Sequence, residues 1–347
     1  MLFSIIIPVY NSCDFLKNAV ESVMRQEFND CEIILVNDGS TDASPSLCEQ
    51  IKNTYKNVTV IHQQNKGSAA ARNTGINASH GEYLLFLDAD DEYKDGVLNF
   101  LASVIAAKKF DVCCFGYCNV NIIKNSKVYK GFFHRRCEQV YETKSQITEE
   151  ILDIIDDRIV FSSCCTKAYR RNLLIENKIL MPQDVAIGED FCFNLEVIKH
   201  SNSYYFTEEV FYEYISQNEN SVMTRFNENK HSDLVKMHKY RNSFLSEYNN
   251  LDSKMLDTNI KMDYVRICYS AYMDMFLKKC SFNFFKKMDF ISQTKNEVKY
   301  DYKKTDKSFL SKKQAIIFSV FATQNNFFIY LSSFICFIMK YKLGKSF

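Results

Sequence analysis

Over the first ninety positions, apolar residues arrive in short blocks separated by stretches of helical periodicity. Residues 3–9 (FSIIIPV), 31–36 (CEIILV), 58–62 (VTVIH) and 83–87 (YLLFL) read as strands, most of them near-continuous apolar runs suited to burial on both faces. Between the first two, Phe15, Leu16, Ala19, Val20, Val23 and Met24 recur on one helical face, predicting a helix that ends near Gln26. A weaker helix is expected up to about Tyr55, and a small-residue helix over 67–78 (GSAAARNTGINA). Strand and helix alternate with short connections. This predicts right-handed crossovers and an α/β fold with a mostly parallel sheet and helices on both faces.

Polar clusters fall just after these strands, at Tyr10-Asn11, at 38–42 and at 88–91. A parallel sheet brings such strand ends to one edge, where open α/β sheets bind ligands. The stretch Asp88-Ala89-Asp90-Asp91-Glu92 places four acids within five positions. In extended backbone Asp88 and Asp90 point the same way. Paired hard oxygens suit Mg²⁺ or Mn²⁺, which could bridge to a diphosphate; a solvated acidic turn is the plainer alternative. The turn after the first strand, Pro8-Val9-Tyr10-Asn11-Ser12, has no glycine, so it is neither a G-x-G-x-x-G nor a Walker A loop. A nucleotide would have to be held by side chains and metal.

Further along, an amphipathic helix is expected over 95–108 with Asp95 as its cap. Strands are expected at 111–120 and 122–129, and a helix at 145–157. Gly188-Glu189-Asp190 opens a helix whose apolar face is Phe191, Leu195 and Ile198. Acids at a helix start are favoured by its dipole, so capping competes with chemistry there. After residue 230 there is one glycine, Gly344, and no proline, so that part should be mostly helical. The uncharged run 327–339 (FFIYLSSFICFIM) falls short of the roughly 20 residues that span a bilayer. With Lys312, Lys313, Lys340, Lys342 and Lys345 around it, we expect helices lying on the cytoplasmic face of a membrane through 312–347. A tail packed on the protein itself or in a homodimer interface is the other reading.

Composition narrows this picture. With 46% hydrophobic and 24% charged residues, the chain is globular. A net charge of +1 gives no argument for nucleic-acid binding. The 13 cysteines lack C-x-x-C zinc spacing, and no leader-like segment precedes the first strand. Reduced thiols and a cytoplasmic location are therefore expected. Low proline and high Lys, Asn and Ile usage fit an AT-rich bacterial genome.

Four pieces in order, Ser4-Ile5-Ile6-Ile7-Pro8-Val9-Tyr10-Asn11, Val36-Asn37-Asp38-Gly39-Ser40-Thr41-Asp42, Gly67 with Ala71-Arg72-Asn73-Thr74-Gly75, and Phe86-Leu87-Asp88-Ala89-Asp90-Asp91, resemble family 2 glycosyltransferases. The likeness continues more loosely to about residue 226. It implies a GT-A fold over 1–230, with nucleotide-sugar binding in 1–95 and the acceptor side in 96–230, followed by a helical region over 231–347. It further implies inverting transfer of a sugar from a nucleotide diphosphate, UDP for preference, to a hydroxyl of a glycan or lipid-linked glycan. Surface polysaccharide synthesis would be the setting.

Carried onto these positions, the resemblance implies that Asp38 accepts hydrogen bonds from the base, with Pro8, Val9, Tyr10 and Asn11 lining its pocket. Arg72 would meet the diphosphate, and Asp88 and Ala89 the ribose side. Asp90, with Asp88, would hold Mn²⁺ or Mg²⁺. Asp190 would be the general base, with Glu189 orienting the site; Asp91 reads as a supporting or capping acid. Two departures bear on the acceptor side. Cys164-Cys165 stand where the family often has tryptophan, and Ile215-Ser216 stand where an arginine commonly follows the aromatics, with Arg225 as a partial substitute. A catalytically inactive nucleotide-sugar-binding or assembly protein at the membrane is the alternative, and a metal-dependent phosphotransferase a third.

Overall fold

The computed structural model describes residues 1–123, 126–135, 137–157, 161–216, 226–248, 251–277 and 280–343. Ser221, Arg225 and Lys345 lie outside them, as does the side chain of Lys342. The chain forms two compact units, Met1–Gln217 and Asn218–Phe347.

The first unit is built on one sheet. Strands β1 (Phe3–Val9), β2 (Cys31–Asp38), β3 (Val58–Gln63) and β4 (Tyr83–Phe86) are parallel neighbours in the order β3-β2-β1-β4. Helices α1 (Leu16–Met24), α2 (Ser44–Thr54) and α3 (Ser68–Ala78) connect them. Pro45 sits in the first turn of α2, where its missing N–H costs nothing. The apolar runs do what their pattern predicted: Ile5, Ile6, Leu35, Leu84 and Leu85 are all buried. Helix α3 lies so close to β1 that a Cβ on Gly75 would meet Ile6 Cγ2 at 2.3 Å.

Beyond β4 the sheet becomes mixed. After the two-residue β5 (Glu92–Tyr93) come α4 (Val97–Ala107), β6 (Val112–Ile123), β7 (Ser126–Phe133) and β8 (Gln139–Tyr141). Next are α5 (Lys144–Glu149), α6 (Ile151–Asp156), β9 (Lys167–Arg170), α7 (Arg171–Glu176), α8 (Glu189–His200) and β10 (Tyr204–Ser216). Strand β9 inserts antiparallel between β4 and β6, and β10 runs parallel to β6. The helix expected over 145–157 is two short helices. Asp95 does not cap α4: the cap position is Gly96, with no side-chain cap bond, and Asp95 instead accepts from Arg25 Nε at 2.8 Å.

The second unit is helical, as its lack of Gly and Pro implied. It comprises α9 (Lys230–Leu245), α10 (Ser253–Asp274), α11 (Phe284–Thr294), α12 (Lys312–Ala322) and α13 (Asn326–Leu343). Side chains begin several of them: Asp252 accepts from Met255 N–H, Asn283 from Lys286 N–H, and Ser311 and Gln314 form a reciprocal capping box. Its core is aromatic, with Tyr264, Tyr272, Phe318 and Phe321 buried.

Candidate active site

Sequence-distant acids meet on one guanidinium. Arg72, on α3, is 5% exposed. Its Nη2 lies 2.6 Å from Asp88 Oδ1, and its Nη1 lies 3.4 Å from Asp190 Oδ1 and 3.8 Å from Glu189 Oε1. The turn after β4 and the start of α8 are therefore joined through a charge on a third element. Arg72 is no surface arginine. Burial alone would lower its pKa, but the neighbouring Cys164, Asp88 and Asp190 outweigh that and raise it.

Other expected residues set that arginine in place. Asp38, at the end of β2, is 3% exposed. It accepts from Gln63 Nε2 (2.7 Å), Lys66 N–H (2.9 Å) and Gly67 N–H (2.8 Å). Gly67 has φ +89° and starts α3, so Asp38 fixes the loop that launches the Arg72 helix. Asn11 takes φ 49°, accepts from Thr41 N–H at 2.8 Å and donates its N–H to Ser40 Oγ at 3.0 Å. The loops after β1 and β2 are thereby laced together. Pro8 and Val9 end β1, Val9 is buried, and Tyr10 stands 51% exposed beyond them.

In the acid turn, Asp88 is partly exposed and Ala89 is buried. Asp90 is open to solvent, yet the packing around it and the adjacent Asp88 charge raise its pKa. Asp91 departs from the capping reading. It is 2% exposed and accepts from Tyr212 Oη at 2.6 Å and from Ile215 N–H at 2.8 Å. Burial, then the Asp88 and Asp90 charges, push its pKa far up. Tyr212 is the residue that sequence reasoning missed; its hydroxyl also accepts from Asp88 N–H at 3.4 Å. The aromatic segment 211–216 was visible, but only its missing arginine drew notice.

At the other acid pair, Gly188 adopts φ 94°, a left-handed turn that glycine makes freely, and α8 begins at once. Asp190 also accepts from the Cys164 N–H at 3.1 Å, so the position that departs from the family's tryptophan serves through its backbone. Lys167, fully buried, donates to the Ser163 carbonyl at 2.5 Å, and Asn194 Nδ2 donates to the Phe161 carbonyl at 2.7 Å, shaping that loop. Burial and the Asp190 charge push the Glu189 carboxyl up to about 7.

No group of three or more His, Cys, Asp or Glu side chains forms a ready metal cage among the described residues. The donor set still fits a hard cation. Mg²⁺-type ions commonly take one or two carboxylates and complete their shell with substrate phosphates and water, and Asp88 and Asp90 are two such groups whose mutual repulsion a cation would relieve. All thirteen cysteines are free.

Acids from the turn after β4 and from the start of α8 thus gather on one buried arginine in an α/β unit, and sequence comparison supplies the class. The model of glycosyl transferase family 2 matches residues 4–177, half of the chain, which belongs to that family. The uncharacterized glycosyltransferase EpsJ of Bacillus subtilis is 31% identical over 221 residues, covering 64% of this chain and 62% of that protein. The poly(ribitol-phosphate) beta-glucosyltransferase of Bacillus spizizenii is 34% identical over 199 residues, 56% of this chain and 29% of its own. The chain thus spans less than two thirds of either relative. Among solved structures, S. aureus TarS 1–349 in complex with UDP superimposes with TM-score 0.66 at 18% identity, covering 100% of this chain and 93% of that one, and so shares the GT-A fold.

Proposed function

We propose that the protein is an inverting glycosyltransferase that moves a sugar from UDP to a hydroxyl of a glycan or lipid-linked glycan in bacterial surface polysaccharide synthesis. The observation that carries this is the meeting of Asp88, Glu189 and Asp190 on Arg72. One acid set belongs to the donor half and the other to the acceptor half, and inversion needs both at one carbon. The UDP complex of TarS and its complex with UDP-GlcNAc support a UDP-sugar donor here.

In this reading the base is received beside Pro8 to Asn11 and the loop that Asp38 holds in place. Arg72 balances the diphosphate charge, releasing part of its present pairing to do so. Asp88 and Asp90 would hold Mn²⁺ or Mg²⁺, which when bound neutralises charge on the leaving diphosphate. Asp190, steadied by the Cys164 N–H and Arg72, takes the acceptor hydroxyl proton as that oxygen attacks from the side opposite UDP. Glu189 orients the pair. Its carboxyl near 7 favours a second assignment, with Glu189 as the base, because a base matched to neutral pH transfers protons well. Comparing Asp190→Asn with Glu189→Gln for UDP release from UDP-GlcNAc and UDP-glucose separates them. Full turnover in both variants would refute an acid–base role for either.

The second unit supports a peripheral contact with an anionic membrane surface. Among the described residues no helix is long and apolar enough to cross a membrane. Yet Phe327, Phe328, Leu331, Phe334 and Ile335 on α13 are each at least 40% exposed, while Ser333 faces inward, fully buried. No acid follows Asp306, and Lys307, Lys312, Lys313, Lys340, Lys342 and Lys345 do. A second copy on that face would bring like charges together, whereas anionic lipid would not.

A further inference from the structure

We propose that one face of the β6–β7–β10 extension, bearing Tyr117, Phe133 and Tyr214, is a platform for a neutral acceptor sugar, on which pyranose rings stack. The proposal rests on the glycosyltransferase reading above and adds the acceptor's place and chemistry.

Leu85 on β4 and Cys113 on β6 both pair with Ala168 of β9, so they lie level in the sheet. Strand β4 ends one residue later, at the acid turn, whereas β6 runs on to Ile123. From Gly116 that overrun spans about 23 Å at about 3.3 Å per residue. Strand β10 accompanies it, with Tyr212 opposite Tyr117, Tyr214 opposite Asn119 and Ser216 opposite Asn121. Strand alternation puts these pairs on one face, together with Phe133, which pairs with Tyr117 from β7.

That face begins at the candidate active site, because Tyr212 donates to Asp91 of the acid turn. Beyond Tyr212 it opens to solvent. Tyr214 is 37% exposed, and Tyr117, Asn119, Asn121 and Phe133 are half-buried. The rings of Tyr117 and Phe133 stack at 4.8 Å with 17° between their planes, giving a firm apolar surface. The opposite face is already committed. There Cys118, Val120 and Ile215 are buried together, and Lys127 and Tyr129 are bonded to Glu213.

The paired positions of the open face carry aromatic rings, the amides of Asn119 and Asn121, the hydroxyls of Ser126 and Ser216, and the aliphatic Val128 and Ile123, but no charged side chain; Lys130 falls in the β7 bulge between them. Rings take the apolar C–H faces of pyranoses, and amides and hydroxyls answer sugar hydroxyls. The lack of charge disfavours a phosphate-dense chain lying on this face.

Saturation-transfer NMR on the full chain tests this with the methyl β-pyranosides of glucose, galactose and N-acetylglucosamine at millimolar concentration. Stacking reads a feature common to pyranosides. At least one should therefore receive saturation on its ring protons, falling at least fivefold in Tyr214→Ala and persisting in Tyr214→Phe. A UDP-induced rise in melting temperature checks the donor site in the same sample. If UDP stabilises the protein and no pyranoside is saturated, or Tyr214→Ala leaves the signal intact, the platform is wrong and the family reading stands. If UDP has no effect either, the underlying reading has failed. Concentration-dependent self-association lost in Tyr214→Ala would reassign the face to a second copy and overturn the proposal.

Discussion

The two units differ in where they gather ionisable groups and where they leave apolar ones exposed. In Met1–Gln217, ionisable groups are taken out of water: Arg72 and Asp91 are nearly inaccessible and Glu189 is well covered. In Asn218–Phe347, large apolar groups are left in water, with Phe285 76% exposed, Ile316 66% and Phe328 52%. Each choice costs stability, since buried charge needs compensation and exposed apolar area forgoes transfer free energy. The second unit buries ionisable groups too. Its fully buried His238 lies 2.6 Å from Asp263 and 2.8 Å from the Tyr300 hydroxyl. What differs is arrangement: in the first unit one buried arginine gathers acids from two distant segments, and in the second the exposed phenylalanines Phe327, Phe328 and Phe334 lie along one helix.

Removing the hub of the first unit should produce the largest effect. Arg72→Ala leaves Asp88, Glu189 and Asp190 without their common countercharge, a loss of about 2–3 kcal/mol once water's access to the three acids is allowed for. Thermal melting should show a drop of roughly 10 °C, and UDP-sugar turnover should vanish. A midpoint within a degree of wild type would mean that the cluster is not organised as described. Asp190→Asn comes next: turnover should fall about 10²- to 10⁴-fold, while UDP still raises the melting temperature.

A sharper test lies in Glu189→Gln. Because the folded carboxyl sits near 7, above its ordinary value of 4.5, its stabilising contribution is complete in acid and is lost as pH rises through about 7. The variant should accordingly melt higher than wild type at pH 8, with the gain fading toward pH 4. Equal gains at both pH values would point to packing instead. Gly75→Ala should cost about 1–3 kcal/mol by pushing α3 off Ile6, readable in urea denaturation. In the second unit, Phe328→Glu should shift stability by no more than about 0.5 kcal/mol but abolish co-sedimentation with phosphatidylglycerol vesicles. Unchanged sedimentation would take the tail out of the comparison.

Much of this was legible in the chain. Near-continuous apolar runs gave β1 to β4, and polar residues after them marked the edge where Asp38 and Asp88 belong, while Asp190 was visible only as an acid at a helix start. What stayed hidden depends on long-range pairing. Asp91 looks like a turn acid until Tyr212, far along the chain, covers it. Asp95 reads as a cap until Arg25 claims it. The mixed half of the sheet follows from β9 entering between strands that are not its sequence neighbours. In the tail, the scarcity of glycine and the lack of proline marked α13 as helical, but which of its residues stay exposed is settled by packing within the second unit, where Ser333 is buried and Phe327 and Phe328 are not.

The central claim is that the acids gathered on Arg72 face a UDP-sugar. Its most direct test is the melting temperature of the whole chain with UDP, with and without Mn²⁺. A ligand that binds only the native state must raise the midpoint. The account predicts a rise with UDP that grows when Mn²⁺ is present and loses its metal-dependent part in Asp90→Ala. A midpoint unmoved by UDP in either condition, on folded protein, would contradict it.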